Sequence, residues 1–184
     1  MKKTLWIILT IIVILAIYAV SSYNGFVTLN VAADTQWKQV ETQYQRRFDL
    51  IPNLVESVKG VMKQEQAVFD AIAQARTQYS GATTPDQKAA AASQVEGALG
   101  RLLVITENYP QLKSSETVQS LMTQLEGTEN RISVERMRYN QTVQSYNLKV
   151  MKFPGSIMAS IFGFAQRQYF ISVPGAETAP QVKF

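Results

Sequence analysis

Residues Ser115 to Val150 read SETVQSLMTQLEGTENRISVERMRYNQTVQSYNLKV. Within this stretch Val118, Leu121, Met122, Leu125, Ile132, Tyr139, Val143, Tyr146 and Val150 follow a near-heptad spacing. That is the period of a helix that buries one stripe against other helices. No proline interrupts it, so a single long helix is expected over about 115–150, and with it an all-α fold.

The segments upstream carry the same period. Ala89 to Ala92, Val95, Leu99, Leu102, Leu103 and Ile105 mark a helix that ends at Asn108-Tyr109-Pro110. Its start is written in Thr84-Pro85 with Gln87 three residues on, a capping-box arrangement with proline at the first helical position. Before the Ser80-Gly81-Ala82-Thr83 loop, Leu54, Val55, Val58, Val61, Met62, Val68, Phe69 and Ile72 form a broad stripe, read as a helix from about Pro52 to Tyr79. Val31, Trp37, Val40, Tyr44 and Phe48 belong to a first helix, expected to end or kink at Ile51-Pro52, where proline removes a hydrogen bond. The expected architecture is an antiparallel four-helix bundle with long helices. Downstream, Phe153-Pro154-Gly155 breaks the long helix. Ile157, Ile161, Phe162 and Phe164 then form a short apolar helix. Together with Phe153 it reads either as a lid on the open end of the bundle or as a patch for the membrane surface or a partner.

The N-terminus is different in kind. Leu5 to Val20 carries no charge, and with its flanks it makes about 20 residues, or ~30 Å of helix, enough to span a hydrocarbon core. Leu5, Trp6, Ile12, Leu15, Val20 and Tyr23 represent this span, and Trp6 and Tyr23 would place a ring at each interface. A cleaved signal peptide is the alternative, since Ala19-Val20-Ser21 resembles a small-x-small cleavage site. The apolar run is longer than a signal core, however, and continues through Phe26, Val27, Leu29 and Val31, which favours retention. Lys2 and Lys3 precede the span and Lys38 is the first basic residue after it, so the positive-inside rule puts the N-terminus in the cytoplasm. The expected organisation is therefore a membrane anchor over 1–23, a helical domain over 24–173 facing the periplasm or cell exterior, and a flexible tail over 174–184.

Composition narrows the function. Eighteen basic against fourteen acidic residues give +4, and Lys2 and Lys3 belong to the anchor, which leaves +2. This is too weak and too interspersed to point to phosphate, so no nucleic-acid partner is expected. The chain contains no cysteine and no histidine, which removes thiolate nucleophiles, Ser-His pairs and imidazole metal sites, including the Glu-x-x-His pattern of di-iron bundles. No catalytic, cofactor or metal residue is assigned.

Polar residues nevertheless interrupt the apolar stripes. Glu129, Arg136, Asn140 and Asn147 share one stripe of the long helix, and two Tyr-Asn pairs, 139-140 and 146-147, repeat at seven residues. Glu65 and Arg76 share a face of the second helix, and Arg47 and Glu107 hold similar positions on the first and third. A charge beside a core costs several kcal/mol unless paired, so these groups are expected to satisfy one another across helices, with Arg47 and Arg76 facing Glu65, Glu107 and Glu129. Such a network fixes helix register, lines a pocket or partner surface, or holds a metal through carboxylates alone.

One segment is more specific than any periodicity. Arg46-Arg47-Phe48-Asp49-Leu50-Ile51-Pro52-Asn53-Leu54 resembles the signature of the LemA family. Glu65, Ala75-Arg76, Glu107-Asn108-Tyr109-Pro110, Thr128-Glu129-Asn130-Arg131-Ile132, Arg136, Tyr139-Asn140, Tyr146-Asn147, Phe153-Pro154 and the closing Ala179 to Phe184 match in order. Ser133-Val134-Glu135 departs from the small residues usual there. The resemblance implies a single-pass bacterial membrane protein with a helical bundle, and no catalytic mechanism. Relatives in magnetosome membranes, and family genes beside those of membrane proteases, suggest assembly or envelope maintenance. The expectation is a non-catalytic interaction or scaffold module of the cytoplasmic membrane. It would be held in lipid by its N-terminal helix and bind an envelope protein or itself. The alternative is an accessory subunit of, or an enzyme acting with, a membrane protease or envelope-maintenance system.

Overall fold

The computed structural model describes residues 2–170. It contains α1 (Lys2–Lys59), α2 (Gln66–Gly81), α3 (Pro85–Thr106), α4 (Pro110–Lys113), α5 (Glu116–Met151) and α6 (Gly155–Phe162). There is no strand among the described residues, so the fold is all-α. The tail expected from Pro174 onward lies outside the described residues.

The described residues group into two compact units. An anchor unit takes those up to Lys38 together with Met137–Tyr169, and a core unit takes Gln39–Arg136 and Phe170. Helices α1 and α5 each contribute to both.

In the core unit four helix segments bury side chains together. Val40, Tyr44, Phe48, Ile51, Leu54 and Val58 line the inner face of α1, and Phe69, Ile72 and Ala75 that of α2. Ala91, Ala92, Val95, Ala98, Leu99 and Leu102 do so on α3, and Val118, Leu121, Leu125 and Ile132 on α5. Each fully buried Leu, Ile or Val contributes about 1.5–3 kcal/mol relative to exposure. The small α3 residues allow α2 and α3 to pack closely along the hairpin they form. Thr84 caps α3 as its spacing predicts: its side chain accepts from the Gln87 backbone N–H at 3.3 Å, and the Gln87 side chain accepts from the Thr84 N–H at 3.3 Å.

Two expectations are corrected. Of the end or kink expected at Ile51-Pro52, the end is ruled out: helix α1 runs on to Lys59 with Pro52 inside it. A proline in a helix interior costs roughly 3 kcal/mol. Here Leu54 and Val58 beyond it are wholly buried, and their packing holds the helix past the missing hydrogen bond. Correspondingly, the second helix starts at Gln66 rather than Pro52. The break falls at 60–65, where Gly60, a poor helix former, leads into a turn in which the Val61 and Met62 N–H groups both donate to the Val58 carbonyl.

The anchor unit is smaller. Phe26, Tyr146, Val150 and Ala159 form its core, with Leu29, Met158 and Phe164 packed against it. Trp37 meets Tyr139 edge-on, 5.4 Å between ring centres. Phe26 lies beside Lys149 while Trp37 lies beside Tyr139. The partner number on α5 falls as that on α1 rises, so the two run antiparallel in this unit. The Phe153–Pro154 bond is cis. Gly163 closes α6 at φ 75°, in the left-handed conformation that favours glycine.

Candidate functional site

Charged groups meet inside the core unit. Arg47, almost wholly buried, pairs with Glu129 and lies 3.5 Å from Glu96. Arg136 donates to Glu96 and, through Nε at 3.0 Å, to the Tyr44 hydroxyl. Its guanidinium carbon is 5.4 Å from the Tyr44 ring centre and 4.6 Å from that of Phe170. Helices α1, α3 and α5 are thus tied by two arginines, two glutamates and a tyrosine. A further pair, Lys88 with Glu41, joins α3 to α1.

Burial bears on the protonation of Glu96, Arg136 and Tyr44. It pushes the Glu96 carboxyl above its ordinary value, against the pull of Arg136 and Arg47 and with Glu129 adding to it. Burial works against the charge of Arg136, but Tyr44 and Glu96 overcome it, and that pKa lies above its usual value. Burial also pushes the Tyr44 hydroxyl up to about 12, against Arg136, and it raises that of Tyr79, with the Glu41 carboxylate adding to it. A group whose folded pKa is raised contributes stability that is complete below its unfolded pKa and lost as pH rises through the folded one. Urea unfolding of the whole chain in detergent is therefore expected to show stability falling between about pH 10 and pH 12, with Tyr44 supplying roughly 2–3 kcal/mol of the loss. Tyr44→Phe should flatten that slope, and an unchanged slope would show that Tyr44 ionises as freely in the fold as out of it.

The structure brings Arg47 and Glu129 together and adds Arg136. It does not join Arg76, Glu65 or Glu107 to them. Glu65 precedes α2 and receives the Tyr109 hydroxyl at 3.5 Å. Glu107 is exposed at the end of α3, and Arg76 lines a cavity of about 330 Å³ with Phe48, Tyr79 and Lys88. Among the described residues no three carboxylates gather as a metal site requires. Glu96 is absent from the sequence-level set, although it lies four residues after Ala92 and three before Leu99, both buried, which places it at the edge of the core face.

A second constellation opens to solvent. Arg46, Asp49 and Leu50 of α1 and Thr123, Gln124, Gly127, Thr128 and Arg131 of α5 line a cleft of about 520 Å³. Asp49 accepts from Gln45 Nε2 at 2.9 Å. Asn53 and Asn130 are exposed on the same two helices.

In the anchor unit the second Tyr-Asn pair acts as a latch. Tyr146 donates to the Ala165 carbonyl at 2.9 Å, and the Asn147 amide both donates to and accepts from the Arg167 backbone at 2.8 Å. Arg167 in turn donates to Asn30 Oδ1 at 2.7 Å and pairs with Asp34. Tyr139 meets Trp37 edge-on, while Asn140 is half-buried. Leu5, Trp6, Ile12, Leu15 and Val20 are all exposed along α1, whose apolar stretch is long enough to cross a membrane. Tyr23, at its end, meets Phe162 and Phe164. Phe153, Ile157 and Ile161 are exposed on and beside α6.

The family model described as LemA family matches residues 36–184. The chain belongs to the LemA family. Two curated relatives are the magnetosome proteins MamQ 1 and MamQ 2 of Paramagnetospirillum magneticum, each 29% identical over 182 residues, covering 85% of this chain and 67% of the relative. Magnetosome protein MamQ of Magnetospirillum gryphiswaldense is 29% identical over 189 residues, covering 87% of this chain and 70% of the relative. The matched region of this LemA-family chain includes the whole core unit, with both the charged cluster and the cleft.

Proposed function

We propose that this LemA-family protein is a membrane-anchored, non-catalytic interaction module of the bacterial cytoplasmic membrane, and that the cleft on α1 and α5 receives its protein partner. The N-terminus is read as cytoplasmic and the helical domain as facing outward, from Lys2 and Lys3 before the span. The assignment of relatives to the magnetosome, a membrane-bounded body, supports a membrane-associated role.

The observation that carries the partner reading is how two motif segments divide. From the first, Arg47, Phe48, Ile51 and Leu54 turn inward, and from the second, Thr128 and Ile132 do. Arg46, Asp49 and Arg131 have no part in that packing and line the open cleft around Leu50. Two guanidinium groups, a carboxylate and an apolar floor suit a polypeptide surface with an acidic side chain beside an apolar one. Arg47, Arg136, Glu96 and Glu129 are engaged with one another, which supports a structural role for them in place of catalysis.

The test is in-cell photo-crosslinking from Thr123 and Gln124, with adducts identified by mass spectrometry. One reproducible protein adduct is expected, an envelope protein or a second copy of the chain. Arg46→Glu with Arg131→Glu should abolish it while leaving the thermal midpoint within a few degrees of wild type, because exposed charges contribute only about 0–1 kcal/mol to stability. Adducts that are scattered, or that survive the double reversal, would remove the cleft from the proposal.

A further inference from the structure

Helix α6 is built inside out for a protein surrounded by water. An amphipathic helix normally buries its large apolar residues and exposes small or polar ones. In α6 the small residues Gly155 and Ala159, four apart, are buried against the anchor unit, and the large residues Ile157 and Ile161, also four apart, face outward at 50% and 65% exposure. Phe153 before it is 80% exposed, and Met151 and Phe162 add to the same apolar surface. The inward face is committed to close approach: a methyl group added at Gly155 would lie 2.5 Å from the Lys149 carbonyl oxygen and 3.8 Å from the Phe26 ring.

The place of this surface on α1 identifies its occupant. Phe162 packs edge-on against Tyr23, 5.2 Å between ring centres, and Phe164 stacks on Phe26 at 4.9 Å. Tyr23 and Phe26 lie where the exposed apolar stretch of α1 ends. Phe153, Leu148, Lys149, Lys152 and Gly155 share one hollow with Tyr18 and Ser22. Tyr18 is five residues before Tyr23, hence about 7–8 Å further along the axis toward the span. That matches the ~5–10 Å to which an interfacial helix buries its apolar face. The exposed face of α6 is therefore continuous with the exposed face of the span, at the depth where headgroups give way to acyl chains. Lys149, with its ammonium 5.1 Å from the Phe26 ring centre, and Lys152 line the same hollow and supply cations beside this apolar surface.

We propose that Phe153 and the outer face of α6 insert into the membrane interface as a second lipid attachment, with Lys149 and Lys152 reaching the headgroup phosphates. This rests on the reading of α1 as a membrane span. It adds that the anchor unit lies against the bilayer at a fixed rotation about α1, since only one side of the helix carries α6.

The chain has no cysteine, so single cysteines can be labelled with a nitroxide in the full-length protein reconstituted into vesicles of phosphatidylcholine and phosphatidylglycerol. Power saturation compares access by oxygen, which concentrates in lipid, with access by a water-soluble nickel chelate. Labels at Phe153→Cys, Ile157→Cys and Ile161→Cys are expected to favour oxygen, as Val20→Cys within the span does. Met137→Cys, exposed on α5 in the same unit, should favour the chelate. A lipid signal at Val20 with chelate access at 153, 157 and 161 would overturn the second attachment and leave the anchor standing. Chelate access at Val20 as well would overturn both. Shielding of the three labels from both reagents would mean that protein, not lipid, covers α6, and would equally overturn the proposal.

Discussion

Glu96→Ala is expected to destabilise the core unit by roughly 3 kcal/mol, toward the low end for removing one partner of a buried ion pair because a quarter of the Glu96 side chain remains exposed. The cost arises from what is left behind. Arg136 loses its carboxylate, Arg47 loses its longer, 3.5 Å carboxylate contact, and both guanidinium groups stay largely buried with Glu129 as the remaining carboxylate of the cluster. Glu96→Gln should cost much less, about 1 kcal/mol, because an amide oxygen still accepts from Arg136. The pH dependence separates the two effects. Burial raises the Glu96 pKa, so its stabilising contribution is complete below the ordinary carboxylate value and declines as pH rises through the folded value. The wild type should therefore lose its advantage over Glu96→Gln as pH rises past the ordinary carboxylate value, read as converging urea midpoints of the detergent-solubilised chain. A widening gap would mean that attraction to the arginines outweighs burial. The combined variant Glu96→Leu, Arg136→Met and Tyr44→Phe should return to within about 1 kcal/mol of wild type, since Arg136 is removed together with both of its partners and Arg47 keeps its pair with Glu129.

This cluster shows where reading a sequence succeeds and where it stops. The cap at Thr84 and the long helix α5 are local, set by residues a few positions apart, and both are legible. Charges on the apolar stripe of α5 announce Glu129 and Arg136 as groups that need partners. Which partners they find depends on the order and spacing of helices brought together across 40 to 92 residues of chain, and nothing local ranks Glu96 above Glu65 or Glu107. Arg167 is harder still. It follows the last helix in a segment without period, and its contacts reach 137 residues back to Asn30. Pro52 fails in the opposite sense: its local rule is sound, and burial of Leu54 and Val58 beyond it prevails. For α6 the sequence shows an apolar octet but not its rotation, and the rotation distinguishes a lid from a lipid-facing patch.

Phe26→Ala is expected to have the larger effect on the anchor unit, about 3–5 kcal/mol, the range for truncating a buried phenylalanine. Phe26 is wholly buried, stacks on Phe164, lies under the Lys149 ammonium and faces Gly155. Removing its ring therefore takes away the floor on which α6 and the segment after it both rest. On the α6 side Gly155 and Ala159 carry no side chain able to fill the gap. The loss should appear in detergent as faster proteolysis within 152–165 while the helical signal of the rest of the chain is retained. Phe26→Leu keeps most of the apolar volume and should be cut at an intermediate rate. Gly155→Ala disturbs the same contact from the other side, through its clash with the Lys149 carbonyl, and should accelerate cleavage in the same segment. If Phe26→Ala leaves the cleavage rate unchanged, α6 is held instead by the latch that follows it, in which Tyr146 binds Ala165 and Asn147 binds Arg167. Asn147→Ala would then be the substitution that releases it.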